Sequence, residues 1–325
     1  MRPFMTILLL SLCLRMPPLA QAQTFPDRPI TIVNALAAGT GMDTVVRLYG
    51  AQLAKSFGQP VVIENKPGAA GVLAIEALMN APPDGYTLAA ATSSIMAIRP
   101  SLFKKPPYDP RTDFVPISLY LKSPFILVIN PALPVHSVSE LVAYVKQRPG
   151  QVSYSSSSIG GAPHLSAEYL KQRFGLDMTH VPYKNSPQSI ADVAAGHVSL
   201  AFAEVGVSLP LIRDGKLRAL AVTSLTRLAS LPEIPPLAES VGAPDFEAVS
   251  WHVLFAKANT PVDIIEKFRT EMARIMADPD MKKAIEQQGL IPTAPQSIEA
   301  TRAYIATEID KWGALVKSLG LAGSI

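Results

Sequence analysis

The sequence predicts an α/β protein of two domains, each a mostly parallel sheet with helices on both faces, and with two interdomain crossings of the chain. Three observations predict it. Short apolar runs of strand length alternate with helical-period segments from residue 30 onward, the pattern of βαβ units. The alternation breaks at a Pro- and Lys-rich stretch, residues 100–110, and restarts near residue 152. The C-terminal segment then carries amphipathic helices that need a sheet to cover.

Residues 1–22 read as an export leader. Arg2 is a short positive region, residues 7–14 are an apolar core, and Ala20-Gln21-Ala22 is a cleavage site, so the mature chain is expected to start at Gln23. Arg15 and the shortness of the run argue against a membrane span, which needs ~20 apolar residues. Lipid attachment at Cys13 is disfavoured by the bulky Leu12 before it. The mature chain has 303 residues (325 − 22) and no cysteine. Its formal charge falls from +3 to +1 once Arg2 and Arg15 are removed. A chain of this length buries a large core without disulfides. The near-neutral balance gives no footprint for nucleic acid or an anionic membrane. A soluble periplasmic monomer is expected.

The first unit organises the chain. Residues 30–33 are an apolar strand run, residues 35–41 a small-residue loop. A helix follows with Met42, Val45, Val46, Tyr49, Leu53 and Phe57 on one face. Asp43 falls at a cap or first-turn position. A strand feeding such a loop and a helix N-terminus makes an anion site from free N–H groups and the helix dipole. Gly58 ends the helix and residues 60–64 form a second strand. Residues 72–80 are helical, stopped by Pro82-Pro83-Asp84-Gly85. Residues 86–92 are a third strand, ending in Thr92, Ser93 and Ser94, and ligands of parallel sheets bind beyond such strand ends.

Residues 100–110 are expected to be an irregular surface connection, followed by β-rich runs at 114–121 and 125–130. Ser137-Val138-Ser139-Glu140 is a capping box that opens a helix to about Arg148. The second alternation places strands at 152–156, 178–183, 198–203 and 217–222. Its helices fall at about 164–174, 189–195 and 209–214, with a Ser/Gly loop over 157–163. Residues 231–244 are Pro-rich, and 246–257 form a strand. Thr260-Pro261-Val262-Asp263 starts a helix, and a last helix carries Ile305, Ile309, Trp312, Val316 and Leu319. With the C-terminal helices on the first sheet, domain 1 spans 23–121 plus 254–325 and domain 2 spans 122–253. Crossings near 121 and 253 flank a cleft, the layout of a hinge-closing binding protein.

The sequence offers no convincing catalytic set. The five histidines, at 136, 164, 180, 197 and 252, are dispersed, and no metal or other cofactor is expected. Gly39-Thr40-Gly41 lacks the third Gly of a dinucleotide fingerprint, and no G-x-S-x-G elbow is present. Ser153 and Ser155 to Ser158 with His164 allow a nucleophile–base reading. The favoured reading has these serines bonding backbone and ligand while His164 begins a helix. Asp43 stays open between plain cap, ligand contact and general base. Glu204, closing an apolar strand, either faces solvent or projects into the cleft. Arg47 suits a surface i, i+4 pair with Asp43. Tyr183 and Lys184 end a strand where they can line the cleft, and Lys184 can equally be solvated.

Further residues carry a family likeness. They include Pro26-Asp27-Arg28-Pro29-Ile30, Gly39 with Asp43-Thr44-Val45-Val46-Arg47, and Gly58-Gln59-Pro60-Val61-Val62-Ile63-Glu64-Asn65-Lys66-Pro67-Gly68-Ala69. Pro83-Asp84-Gly85-Tyr86-Thr87-Leu88, His164-Leu165, His180-Val181-Pro182-Tyr183-Lys184 and Gly215-Lys216-Leu217-Arg218-Ala219-Leu220-Ala221-Val222 belong with them, as do Arg227 and Leu231-Pro232. On these the mature chain resembles the substrate-binding receptors of tripartite tricarboxylate transporters, the Bug family. The resemblance implies a two-domain periplasmic-binding-protein (Venus-flytrap) fold that captures a small carboxylate and presents it to a membrane permease. It implies a carboxylate held by N–H groups and hydroxyls of two loops, one per domain, often through waters.

Those loops match Ala38, Gly39, Thr40, Gly41, Met42 and Asp43 on one side, and Ser157, Ser158, Gly160 and Gly161 on the other. Thr92, Ser93, His164, Tyr183 and Glu204 complete the candidate ligand-binding set. The loops depart from the family pattern. Gly39-Thr40-Gly41-Met42-Asp43 stands for the usual Gly-Gly-Ser/Thr-x-Asp, and Ser158-Ile159-Gly160-Gly161 for Gly-x-Gly-Ser/Thr. Asn185 replaces a usual Gly, and Glu204 stands where Asp or Asn is common. The backbone donors survive these exchanges; the side-chain pattern that would select a ligand does not carry over. A periplasmic serine esterase or amidase, and a ligand sensor for a membrane signalling kinase, are the alternative readings. A sensor protein is thus a second expected partner beside the permease subunits.

Overall fold

The computed structural model describes residues 25–157 and 159–325, so the leader read in residues 1–22 lies outside the described residues. The first lobe opens with β1 (Ile30–Asn34), α1 (Gly41–Phe57), β2 (Val61–Asn65), a 3-10 turn (Gly68–Gly71), α2 (Val72–Asn80) and β3 (Thr87–Thr92). A π-helical turn (Ser94–Ile98) and the one-turn α3 (Arg99–Leu102) lead to β4 (Phe114–Ser123). The second lobe holds β5 (Phe125–Ile129), α4 (Val138–Lys146), β6 (Ser153–Ser156), α5 (Ala162–Phe174), β7 (Thr179–Pro182) and α6 (Ser186–Ala195). It continues with β8 (Leu200–Glu204), α7 (Val205–Arg213), β9 (Arg218–Val222) and the short α8 (Leu237–Ser240). The chain returns in β10 (Ser250–Lys257), followed by α9 (Val262–Ala277), α10 (Pro279–Gln287), β11 (Ile291–Pro292) and α11 (Ile298–Ser318).

The first sheet has the order β11-β4-β10-β3-β1-β2 and the second β7-β6-β8-β5-β9. Both are mixed. Among the described residues, parallel pairing between strands is confined to β1 with β2 and β3, and to β6 with β7 and β8, with one isolated parallel bridge from Val222 to Pro236. The strands at the crossings pair antiparallel: β10 with β3 and β4, and β5 with β8 and β9. The parallel share is therefore smaller than the βαβ alternation predicts, because a strand passing directly between lobes has no crossover helix to reverse it.

Pairing also shifts the crossings. β4 stays in the first sheet to Ser123 and β10 joins it from Ser250, where the two residues are opposite each other. Phe125 already belongs to the second sheet. The first crossing is held by Thr223, whose Oγ1 accepts from the Phe125 N–H (2.9 Å) and whose own N–H donates to the Phe125 carbonyl (2.9 Å). Beside it, Lys122 Nζ pairs with Glu247 Oε1 at 2.9 Å.

The C-terminal helices cover the first sheet as expected: Phe268, Met272 and Ile275 of α9 share a core with Ile32, Leu53 and Leu254. α11 goes further. Its Trp312 meets Tyr169 of α5 edge-on at 6.3 Å, and Gln172 donates to Ser318 Oγ at 3.2 Å, so this helix spans both lobes. Glu308 fixes it by accepting from the indole N–H groups of Trp251 (3.2 Å) and Trp312 (2.9 Å).

Local chemistry explains where boundaries move. Thr40, not Asp43, caps α1: its Oγ1 accepts from the Asp43 N–H, which makes Asp43 the third helical residue. α5 begins at Ala162, so His164 lies inside it rather than at its start. Residues 100–102 are helical rather than irregular. Asp278-Pro279-Asp280 opens α10 with a side-chain cap and Pro in the first turn, a start signal for a helix the sequence reading did not place.

Candidate functional site

The C-terminal ends of β1, β3, β6 and β8 converge on a cavity of about 300 Å³ between the lobes. That size is at the low end of the ~300–1,000 Å³ typical of small-molecule sites. Ala35, Leu36, Ala37 and Met42 line it from the β1–α1 unit, and Thr92, Ser94, Ile95 and Arg99 from the β3 end. Ser123, Phe125 and Ser250 line it at the crossings. Ser157, Gly160, Gly161, Ala162, Pro163 and Glu204 face it from the second lobe.

The two predicted loops differ in role. In the first, Asp43 is 2 % exposed and spends both oxygens inside the protein. Oδ1 accepts from Asn34 Nδ2 (3.0 Å) and Asn65 Nδ2 (2.7 Å); Oδ2 accepts from the Gly39 N–H (2.9 Å) and Arg47 Nε (3.0 Å). Burial pushes its pKa up, but the bonds from Asn65, Gly39, Arg47 and Asn34 outweigh it and hold the carboxyl below its ordinary value. Asp43 is thus the knot of the loop. The Arg47 pair is real but not a surface pair, since its acid is buried. Of the six residues predicted in this loop, Met42 lines the cavity, while Ala38, Gly39, Thr40, Gly41 and Asp43 build or flank the loop behind it.

In the second loop Ser157, Gly160 and Gly161 do line the cavity, together with the first turn of the 13-residue α5. Its N-cap, Gly161, supplies no side-chain acceptor, so the helix start is left to meet an outside one. Ser158 lies outside the described residues. His164 is buried; its Nδ1 accepts from the Gly160 N–H at 3.1 Å, which assigns the proton to Nε2. It stacks on His180 with ring centroids 4.1 Å apart. Burial, with His180 alongside, pushes the His164 pKa down to about 4. A neutral imidazole that holds a loop amide is a positioning group. Among the described residues, Ser156 is the serine hydrogen-bonded to a histidine: its Oγ is 2.7 Å from His180 Nε2, and it is buried.

The other predicted residues separate similarly. Thr92 and Glu204 line the cavity. Ser93 lies beneath it, fully buried, donating to Ser250 Oγ at 3.0 Å. Tyr183 does not reach the cavity: its hydroxyl donates to Asp192 Oδ2 at 2.5 Å, and desolvation and that contact raise its pKa to about 12. Glu204 Oε2 accepts from Ser186 Oγ at 2.6 Å.

The sequence reading missed Arg99. The π-helical turn brings it to the cavity: the Arg99 N–H donates to Ser94 O, a wide i→i−5 bond. Pro100 has no N–H to continue the pattern to the Ile95 carbonyl, which instead accepts from the buried Tyr108 hydroxyl at 2.5 Å. A lone Arg ending the apolar run 95–98 ahead of a Pro was the available signal.

Two mixed-sheet lobes, joined by two crossings and enclosing a polar cavity at their strand ends, define a solute-binding protein of the periplasmic-binding-protein fold. The family can be stated as well. A model described as the tripartite tricarboxylate transporter family receptor matches residues 45–321, and the chain belongs to that family. Protein BugT of Bordetella pertussis is 34% identical over 300 residues, covering 92% of this chain and 91% of that one. Among solved structures, Rpa4515 of R. palustris with adipate has a TM-score of 0.80 at 33% identity, covering 92% of this chain and 99% of that one. MatC from Rhodopseudomonas palustris with bound malate has a TM-score of 0.75 at 29% identity, covering 90% and 100%. Among the described residues no helix is long and apolar enough to cross a membrane.

Proposed function

We propose that this chain is a periplasmic receptor that captures a small carboxylate-containing solute between its lobes and delivers it to membrane permease subunits. The observation that carries the reading is the cavity between the lobes, lined by the uncapped first turn of α5 and by the hydroxyls of Thr92, Ser123, Ser157 and Ser250. These groups donate hydrogen bonds to an anion without adding charge. The adipate and malate in the two related structures support a carboxylate. Met42, Thr92, Ser157, Gly160, Gly161 and Glu204 are the proposed contacts among the residues read from the sequence, and Arg99 joins them. The lobes bend about the crossings next to Ser123 and Ser250. The leader directs export and is removed by cleavage after Ala22.

The protein turns nothing over in this reading. His164 commits its unprotonated nitrogen to the Gly160 amide, so it is not free to deprotonate a loop serine. Native mass spectrometry of freshly purified mature protein tests the proposal. One small carboxylic acid per chain, released on denaturation, is expected. Protein that carries none and takes up none when dialysed against a carboxylate panel would overturn it. Turnover of a model ester that disappears in Ser157→Ala would overturn the statement about catalysis.

A further inference from the structure

Two charged residues line the cavity among the described residues, and they stand on opposite lobes: Arg99 at the end of the π-helical turn, Glu204 at the end of β8. They do not pair with each other, since no Arg99–Glu204 contact falls within the 4.0 Å ion-pair limit. Among the described residues the Glu204 carboxylate has one partner, the Ser186 hydroxyl, which occupies a single oxygen. Arg99 has no hydrogen bond or ion pair from its guanidinium among the described residues. It is half-buried, and burial pushes its pKa below the ordinary value while leaving it charged. A partly desolvated guanidinium without an anion is costly, and so is a carboxylate with one neutral partner.

Each of these charges lacks what a ligand can bring. A dianion would satisfy Arg99 and the α5 N-terminus but would face the fixed Glu204 carboxylate. A simple monocarboxylate would satisfy Arg99 and leave Glu204 uncompensated. A molecule carrying both an ammonium and a carboxylate satisfies both lobes and keeps the cavity near neutrality. We propose that the cleft selects a zwitterionic amino acid, with Arg99 pairing the ligand's carboxylate and Glu204 accepting from its amino group. This rests on the carboxylate-receptor reading and narrows it. Because the two charges sit on different lobes, such a ligand also pulls the lobes together, tying selection to closure.

Calorimetry on the mature protein tests this with a ladder of straight-chain acids from two to eight carbons. At each length the α- and ω-amino acid, the monocarboxylate, the dicarboxylate and the primary amine are compared. The proposal expects one amino acid to bind tenfold or more tighter than its matched monocarboxylate and dicarboxylate, the scale of one charge-assisted hydrogen bond. In Glu204→Gln that preference should collapse toward one. In Arg99→Gln the affinity of the amino acid should fall tenfold or more, and in Arg99→Lys by less. Unliganded melting curves serve as the folding control.

Amino acids that bind no better than matched carboxylates would overturn the proposal and leave the carboxylate reading standing, as would a dicarboxylate that binds tightest with no response to Glu204→Gln. An Arg99→Gln/Glu204→Gln double variant that binds like wild type would overturn it too. A ladder in which nothing binds overturns this proposal, and the carboxylate reading falls with it only if native mass spectrometry also finds no acid carried or taken up from the broader carboxylate panel.

Discussion

Asp43 shows how a residue that looks chemical can be structural. Four donors converge on its two oxygens, so Asp43→Asn would set an amide N–H₂ against N–H donors in a buried site. The expected cost is about 2–3 kcal/mol of stability, read by urea unfolding at pH 7. Its folded pKa is depressed, so its contribution is present above the unfolded value of 3.8 and lost as pH falls through the folded one.

The buried histidines act in a higher window. His164 and His252 are held neutral, with pKa values lowered by burial from 6.5 to about 4 and about 3. Between pH 6.5 and 4 the unfolded chain binds protons that the folded one does not, so stability falls as pH drops. From pH 7.5 to 5.5 the loss should be about 1–3 kcal/mol, and His164→Gln should remove part of the slope. A stability that rises on acidification over this range would refute the assignment.

At the scale of elements, the loop before α5 is where the lobes approach. Gly160 has φ +71°, and a Cβ there would lie 2.6 Å from Leu102 Cδ1 of the first lobe. Gly160→Ala should cost about 1 kcal/mol for the backbone conformation. The displaced Leu102 side chain should add a loss of ligand affinity. Leu102→Ala in the same chain should restore affinity but not stability, which separates the two effects by calorimetry and melting.

The elements also show what a sequence makes legible. The βαβ alternation, the Gly58 stop, the Ser137 capping box and the amphipathic C-terminal helices follow from local periodicity and caps, and the structure has them. The π-helical turn does not follow, because its cause is a proline downstream and a tyrosine hydroxyl fourteen positions after the turn begins. The candidate site was half legible for the same reason. Gly- and Ser-rich loops announce the second-lobe wall, whereas whether Asp43 or Tyr183 faces the cavity depends on Asn65 and Asp192, partners that spacing along one helix or strand does not reveal.

The two lobes share α11 and enclose the cavity between them. α11 ties the first sheet to α5, while the crossings are single strands braced by Thr223 and by the Lys122–Glu247 pair. Closure should therefore bend at the crossings while α11 keeps its packing. Small-angle scattering should show a smaller radius of gyration with saturating ligand; an unchanged radius would contradict hinge closure.

Thermal unfolding of the mature protein with a carboxylate and with its primary amide reads capture of a carboxylate. A ligand that binds only the folded chain stabilises it by RT ln(1 + [L]/Kd), about 2.7 kcal/mol at a hundredfold excess over Kd. For roughly 300 residues this is a rise of about 4 °C in Tm. Such a rise is expected for at least one small carboxylate and none for its amide. No rise for any carboxylate, or an equal rise for acid and amide, would contradict it.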